Sequence, residues 1–106
     1  MESRLAPLLQ ELRAALEALY GDRLVHLILY GSQARGEATA DSDIDVMVVL
    51  SGTVHSWSEI DRMNVAVTDL CLKYDELISL YPISEKAYRS GQEPVLKKVY
   101  QEGTLL

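Results

Sequence analysis

The stretch that decides the fold reads LVHLILYGSQARG over residues 24–36 and DSDIDVMVVL over residues 41–50. Leu24–Tyr30 and Ile44–Leu50 are short apolar runs, and each is followed by a pair of glycine and serine, which is typical of buried strands. The first run ends at Gly31-Ser32, where a short helix can begin with Ser32 as its cap. The stretch therefore predicts two strands joined by a short helix and a polar connection.

Amphipathic helices are predicted on both sides of this pair of strands. One ends at Gly21 and has leucine at every third or fourth position: Leu5, Leu8, Leu9, Leu12, Leu16 and Leu19. Ser56 and Glu59 have the spacing of a capping box, with Ser56 as the N-cap. This spacing predicts a second helix of about 18 residues, whose apolar positions recur at helical intervals.

The end of the chain adds a third strand and a last helix. Leu77–Tyr81 is a short apolar segment that predicts a strand, and we expect Pro82 to end it. Pro94 and Gly103 stand where helices commonly begin and end. The order of elements predicts a small mixed α/β fold, in which a mixed β-sheet is flanked by helices.

Length and composition limit the class of protein. The chain has 106 residues and 11.8 kDa, with 48% hydrophobic and 25% charged residues, which is ordinary globular composition. For this mass the surface falls from about 17,000 Å² unfolded to about 6,000 Å² folded, which allows one core. No apolar run approaches the roughly 20 residues that cross a bilayer, and the first residues do not resemble a signal peptide. We expect a cytoplasmic domain without membrane contact.

The net charge bears on possible partners. Sixteen acidic and ten basic residues give a formal charge of −6. Binding to nucleic acid without sequence preference needs many Lys and Arg residues, so we expect no direct nucleic-acid binding. A small anionic ligand remains compatible with this charge if a metal ion offsets it locally.

Gly31-Ser32 is a candidate anion-binding turn. A glycine at a strand end allows a phosphate to approach the backbone amides, and the start of a helix carries partial positive charge. The same pair is more often only a turn and a helix cap, so this feature alone is weak support. The segment also lacks the lysine of a Walker A loop and the third glycine of a dinucleotide-binding fingerprint.

Asp43 and Asp45 form the second candidate feature. Side chains alternate along a strand, so both carboxylates are expected on one face. Two neighbouring carboxylates repel each other unless a cation lies between them, and Mg²⁺ prefers such oxygen ligands. The alternative is a polar turn with two solvated acids. An EF-hand calcium loop is excluded, because Val46 and Gly52 stand where it needs glycine and glutamate.

Taken together, residues 27–36 (LILYGSQARG) and 41–46 (DSDIDV) resemble the DNA polymerase β-like nucleotidyltransferase superfamily. The match is to its minimal nucleotidyltransferase (MNT) branch in prokaryotes, which has the size and order of elements of this chain. The resemblance implies the polymerase β-like fold and a single nucleotidyltransferase domain over residues 1–106. It also implies a transferase that binds ATP and magnesium.

The resemblance assigns a role to each matching residue. Gly31 and Ser32 would hold the β- and γ-phosphates of the nucleotide, and Arg35 beside them would support the departure of pyrophosphate. Asp43 and Asp45 would be catalytic and would ligate one or two Mg²⁺ ions. An acceptor hydroxyl would then attack the α-phosphorus of the nucleotide.

The sequence departs from the superfamily at its third carboxylate, which usually lies on a following strand. The third predicted strand contains no acid, but Asp75 and Glu76 precede it. Glu76 is the better candidate for a third catalytic residue because it adjoins the strand. If neither acid reaches the metal site, transfer is expected to be slow or absent.

The resemblance also suggests a partner. Short MNT proteins are commonly encoded beside HEPN-domain proteins, as the antitoxin of a toxin–antitoxin pair. It therefore implies adenylylation, the transfer of AMP from ATP to a tyrosine of a HEPN toxin, which silences a ribonuclease. The alternative is a catalytically weak or inactive nucleotide-binding module that acts by stoichiometric binding to its partner protein.

Overall fold

The computed structural model describes residues 5–35 and 43–106. Residues 36–42, which include Asp41 and Ser42 of the sequence motif, lie outside the described part. In chain order the elements are α1 Ala6–Tyr20, a 3₁₀ turn Gly21–Arg23, β1 Leu24–Tyr30, α2 Ser32–Arg35, β2 Ile44–Leu50, α3 Ser56–Tyr74, β3 Ile78–Ser84, α4 Glu85–Ser90, α5 Pro94–Glu102 and β4 Thr104–Leu105. In these ranges no helix is both long enough and apolar enough to span a membrane.

The strands of the described residues form a four-stranded mixed sheet with the order β3-β2-β1-β4. β1 and β2 are antiparallel, and Tyr30 at the end of β1 lies opposite Asp45 at the start of β2. β2 and β3 are parallel, and Asp45 lies opposite Ser79. The end of β1 and the beginning of β2 and β3 therefore meet at one end of the sheet.

One face of the sheet packs against α1 and α3. The leucines of α1 recur at helical spacing, which directs them to one side of the helix and into contact with β1 and β2. The buried side chains of this cluster include Leu8, Leu9, Leu12, Leu16, Leu27, Leu29, Ile44, Val46, Val48, Met63 and Val67. This packing confirms the two predicted amphipathic helices.

The other face packs against the chain that follows β3. Its buried cluster contains Ile28, Met47, Val49, Ile83, Leu96 and Val99. Both faces of β2 are therefore covered, which explains its continuous apolar sequence after Asp45. The single core expected from the chain length is divided by the sheet into two clusters.

The third strand differs from its prediction. It begins at Ile78 and continues through Pro82 to Ser84, so the expectation that Pro82 ends the strand is wrong. β3 is an edge strand of the sheet, where a proline needs no hydrogen-bond donor on its outer side. The apolar pattern also missed α4 and the two-residue β4, since elements this short carry little periodicity.

The capping box predicted at the start of α3 is absent. His55 is the N-cap and makes no side-chain capping bond, while Ser56 is the first helical residue. Glu59 is only 4% exposed, and its carboxylate accepts a hydrogen bond of 2.8 Å from the Tyr20 hydroxyl. Because this carboxylate is directed into a buried contact with α1, it does not return to the helix terminus.

Candidate functional site

The candidate site lies at the sheet end where β1 finishes and β2 starts. Antiparallel pairing brings Tyr30 opposite Asp45, and Gly31 follows Tyr30 directly. α2 then begins at Ser32, and the Gly31 carbonyl accepts hydrogen bonds from the amides of Ala34 (3.1 Å) and Arg35 (3.2 Å). The first amides of a helix have no acceptor within the helix, so this turn can present N–H groups to an anion.

Gly31 touches the second aspartate. Its φ of +77° lies in the region that side chains disfavour, and a Cβ atom there would lie 2.5 Å from Oδ2 of Asp45. The backbone of the turn therefore lies directly against this carboxylate. The two sequence features, separate in the chain, are adjacent in the fold.

The two aspartates differ in their surroundings. Asp43 is exposed just before β2, while Asp45 is half-buried within it. Burial, and then the negative charge of Asp43, raise the pKa of Asp45, while the positive charge of Lys98 acts in the opposite direction. A cation bound between the two carboxylates would relieve their repulsion, so this donor pair fits a hard divalent ion such as Mg²⁺.

Tyr30 lies beside Asp45 at the same end of the sheet. Burial, and then the charge of Asp45, raise the pKa of its hydroxyl, so the ring remains neutral beside the carboxylate. Tyr30 is not among the predicted site residues, because it belongs to the apolar run of β1. Its position opposite Asp45 follows from the strand register, which the sequence does not specify.

The position beside Asp45 on β3 is occupied by Ser79 and not by an acid. Glu76 lies before the start of β3, and its backbone amide donates a hydrogen bond of 3.1 Å to the Cys71 carbonyl. Among residues 5–35 and 43–106, no group of three or more His, Cys, Asp or Glu side chains is arranged to hold a metal.

Glu102 is a site residue that sequence analysis did not identify. Its Oε1 accepts hydrogen bonds from the Gly31 amide (3.1 Å) and from Arg35 Nη1 (3.0 Å), and its Oε2 lies 3.1 Å from the same nitrogen. The Arg35 guanidinium, and then the Gly31 amide, lower the pKa of Glu102 against a smaller opposing effect of burial. The predicted helix end at Gly103 was the available signal, but it does not indicate what the last helical residue contacts.

A glycine turn against an acidic strand start, on a mixed sheet covered by helices, is the arrangement of a nucleotidyltransferase domain. The chain matches the family described as Nucleotidyltransferase domain over residues 9–100 and belongs to that family. The family predicted from the sequence motif is therefore confirmed, and the protein is a nucleotidyltransferase.

Two curated relatives come from Methanocaldococcus jannaschii, and both carry the name "Putative protein adenylyltransferase". One is 36% identical over 99 residues, which cover 92% of this chain and 93% of the relative. The other is 31% identical over 72 residues, which cover 68% of this chain and 72% of the relative. The chain thus spans most of the length of both.

Solved structures with the same fold come from toxin–antitoxin complexes. One, a toxin–antitoxin with AMP-PNP, has a TM-score of 0.67 at 20% identity, covering 91% of this chain and 69% of that one. Another contains a tri-AMPylated Shewanella oneidensis HEPN toxin with an MNT antitoxin. Its TM-score is 0.56 at 18% identity, covering 96% of this chain and 67% of that one. These similarities confirm the predicted fold.

Proposed function

We propose that the chain transfers AMP from ATP to a hydroxyl group of a partner protein, in a reaction that depends on Mg²⁺. The contact between the Gly31 turn and the Asp45 carboxylate carries this proposal. A turn that can bind phosphate and a carboxylate that can bind a metal are needed side by side, because the metal links the protein to the triphosphate. The names of the two archaeal relatives support protein as the acceptor.

Each residue has a proposed role. The Gly31-Ser32 turn holds the β- and γ-phosphates through the amide and hydroxyl of Ser32, while the Gly31 amide donates to Glu102, and Asp43 and Asp45 hold Mg²⁺. The metal supplies positive charge that offsets the triphosphate and the two carboxylates. Tyr30, neutral and half-buried, adds no negative charge where the nucleotide binds.

The reaction is a phosphoryl transfer by displacement. The acceptor oxygen forms a bond to the α-phosphorus, and the bond from that phosphorus to the bridging oxygen of the β-phosphate breaks. Pyrophosphate leaves, and the acceptor proton passes to a base. We propose Glu76 as that base, because it precedes the strand that pairs with β2. Most of the rate enhancement would come from positioning and charge stabilisation.

We propose a HEPN-family toxin as the partner and a tyrosine as the acceptor. The assignment is supported by the complex in which a tri-AMPylated Shewanella oneidensis HEPN toxin is bound to an MNT antitoxin with the fold of this chain.

The proposal is tested by co-expressing the chain with a HEPN-family protein and measuring the intact mass of that protein. Transfer adds about 329 Da for each AMP unit attached. The addition should disappear with Asp43→Asn and Asp45→Asn and on removal of Mg²⁺ with a chelator. Asp69→Asn is the matched control, since it removes the same charge from an exposed position of α3. Tyrosine-to-phenylalanine variants of the partner identify the acceptor.

A second function has one observation in its favour: Ser79, not an acid, lies beside Asp45 on the neighbouring strand. A domain without its third carboxylate can act as a stoichiometric binding module. In that case the partner co-purifies at its unmodified mass, and complex formation is unchanged by Asp43→Asn. An effect of Glu76→Gln on the transfer rate, with partner binding unchanged, would favour the enzyme.

A further inference from the structure

We infer that Glu102 is a positioning residue that fixes the phosphate-binding turn, and that Arg35 acts through Glu102 and not on the nucleotide. This inference rests on the proposed function of the Gly31 turn. It concerns a residue outside the sequence motif, at the opposite end of the chain. It also assigns Arg35 a role different from the one that the resemblance implied.

One carboxylate makes contacts at both ends of the turn. At the first end, Oε1 of Glu102 accepts the Gly31 amide at 3.1 Å. At the second end, Nη1 of Arg35, the last residue of α2, lies 3.0 Å and 3.1 Å from the two carboxylate oxygens. A single side chain therefore spans the segment whose Ser32 amide and hydroxyl would face the phosphates.

Gly31 is consequently held from two directions. Its amide donates to Glu102, while the position of its missing side chain is occupied by the Asp45 carboxylate. Without Glu102 the peptide between Tyr30 and Gly31 would lose the acceptor that defines its orientation. Because a catalytic geometry tolerates only small displacements, rotation of this peptide would weaken phosphate binding.

The fold determines where Glu102 lies. β4 pairs antiparallel with β1, with Thr104 opposite Leu29, so the end of α5 lies beside the turn that follows β1. Gly103 allows the close approach, because a Cβ atom there would lie 2.6 Å from Cγ2 of Ile28. The short strand β4 thus connects the end of α5 to the turn.

The charge balance favours an indirect role for Arg35. The ion pair with Glu102 neutralises the guanidinium, and the two side chains are 38% and 20% exposed. Exposed ion pairs contribute little to stability, so the contribution of this pair is mainly geometric. Through Glu102, Arg35 is linked to the end of α5 and to the Gly31 amide.

The experiment measures the rate of AMP transfer at increasing ATP concentrations, in the presence of Mg²⁺, for Glu102→Ala, Glu102→Gln and the wild type. We expect alanine to raise the KM for ATP by about tenfold or more with a smaller change in kcat. Glutamine keeps an oxygen for the Gly31 amide and should remain within about threefold of the wild type. Glu85→Ala is the matched control, because it also removes a carboxylate from an ion pair with arginine, that with Arg89 within α4.

The role of Arg35 is tested by a double-mutant cycle. If Arg35 acts through Glu102, then Arg35→Ala combined with Glu102→Ala should raise KM no more than the larger single effect. If the fold-increases in KM of the two single variants multiply in the double variant, this part of the inference is overturned, because Arg35 would then contact the nucleotide independently. An unchanged KM in Glu102→Ala would overturn the whole of it.

A second measurement separates this inference from the proposed function. Hydrogen exchange of the Gly31 amide, followed by NMR without nucleotide, should accelerate by about tenfold or more in Glu102→Ala and stay unchanged in Glu85→Ala. If the wild type binds no ATP but the exchange rate responds, the proposed function fails and the positioning role remains. If exchange does not respond, the positioning role fails, whatever the enzyme does.

Discussion

Gly31 and Asp45 are in such close contact that no side chain fits between them. A Cβ atom at residue 31 would lie 2.5 Å from Oδ2 and 3.4 Å from Cγ of Asp45. The φ of +77° at Gly31 independently favours glycine. The contact makes the turn and the carboxylate one structural unit, so a change at either residue displaces the other.

Gly31→Ala should therefore abolish transfer while leaving the protein folded. Alanine at this φ costs about 1–2 kcal/mol, and its methyl group forces the Asp45 carboxylate to move. Because displacement of a reacting group by about 1 Å can cost about 100-fold in rate, we expect a loss of at least that size. Transfer rates and urea unfolding curves provide the two measurements.

Gly52→Ala is the control for this substitution. Gly52 has a φ of +79°, but no atom lies within 4 Å of its missing Cβ. It should show the same backbone cost in stability and keep its activity. Equal losses of activity in the two variants would show that backbone strain, and not the contact with Asp45, is responsible.

Asp45→Asn should stabilise the metal-free protein at neutral pH. Burial, and then the charge of Asp43, raise the pKa of Asp45 above its usual value of 3.8, so folding favours the protonated form. The stability gained from this group is fully present below pH 3.8 and is lost as the pH rises through the folded-state pKa. Asparagine resembles the protonated acid and should raise Tm at pH 7. The expected rise is smaller than the change of about 4–8 °C that corresponds to 1 kcal/mol of stability.

The pH dependence of Tm checks this sign. The difference in Tm between Asp45→Asn and the wild type should shrink towards zero as the pH falls below 4. Asp43→Asn should lower the pKa of Asp45, which NMR titration of its carboxyl carbon measures. A variant less stable than the wild type at pH 7 without metal would contradict the assigned cause.

The parts of the fold predicted from sequence are those with a periodic or apolar signal. The leucines of α1 predict a helix, and the β-branched run of β2 predicts a strand. The pairs Gly31-Ser32 and Asp43/Asp45 predict a site that binds phosphate and a metal. Strand register has no comparable signal, so the pairing of Asp45 with Tyr30 and Ser79 appears only in the structure.

Glu102 illustrates why the remaining part of the site could not be predicted. Its contact with Gly31 joins residues 71 positions apart in the chain. That contact depends on β4, a two-residue strand too short to show alternation. An acid at the end of a surface helix looks like an ordinary solvated residue until the strand register is known.

Tyr20→Phe should destabilise the protein without affecting transfer. The Tyr20 hydroxyl donates to the buried Glu59 carboxylate at 2.8 Å, while the guanidinium groups of Arg62 and Arg23 lie 3.6 Å and 3.9 Å away. Removing a hydrogen bond to a charged group costs about 1.5–3 kcal/mol, which urea unfolding measures. Tyr100→Phe is the control, since its exposed hydroxyl bonds the Tyr88 carbonyl and should contribute less than about 0.5 kcal/mol.

Gly103→Ala tests whether the end of α5 must pack this closely on β1. Its φ of −67° is accessible to any residue, so any cost is steric. The added methyl would lie 2.5 Å from the Val99 carbonyl oxygen and 2.6 Å from Cγ2 of Ile28. Relief of both contacts requires a backbone shift, for which we expect a loss of about 1–3 kcal/mol.

That shift should also reach the phosphate-binding turn, because Glu102 precedes the substituted residue. The KM for ATP and the exchange rate of the Gly31 amide should both rise in Gly103→Ala, in the direction expected for Glu102→Ala. Thr104→Ala, at an exposed position of β4, should leave the stability, the KM for ATP and the exchange rate of the Gly31 amide unchanged. If Gly103→Ala loses stability but keeps a normal KM and normal exchange, the packing of α5 has been disturbed without any effect on Gly31. The turn would then keep its conformation without support from α5.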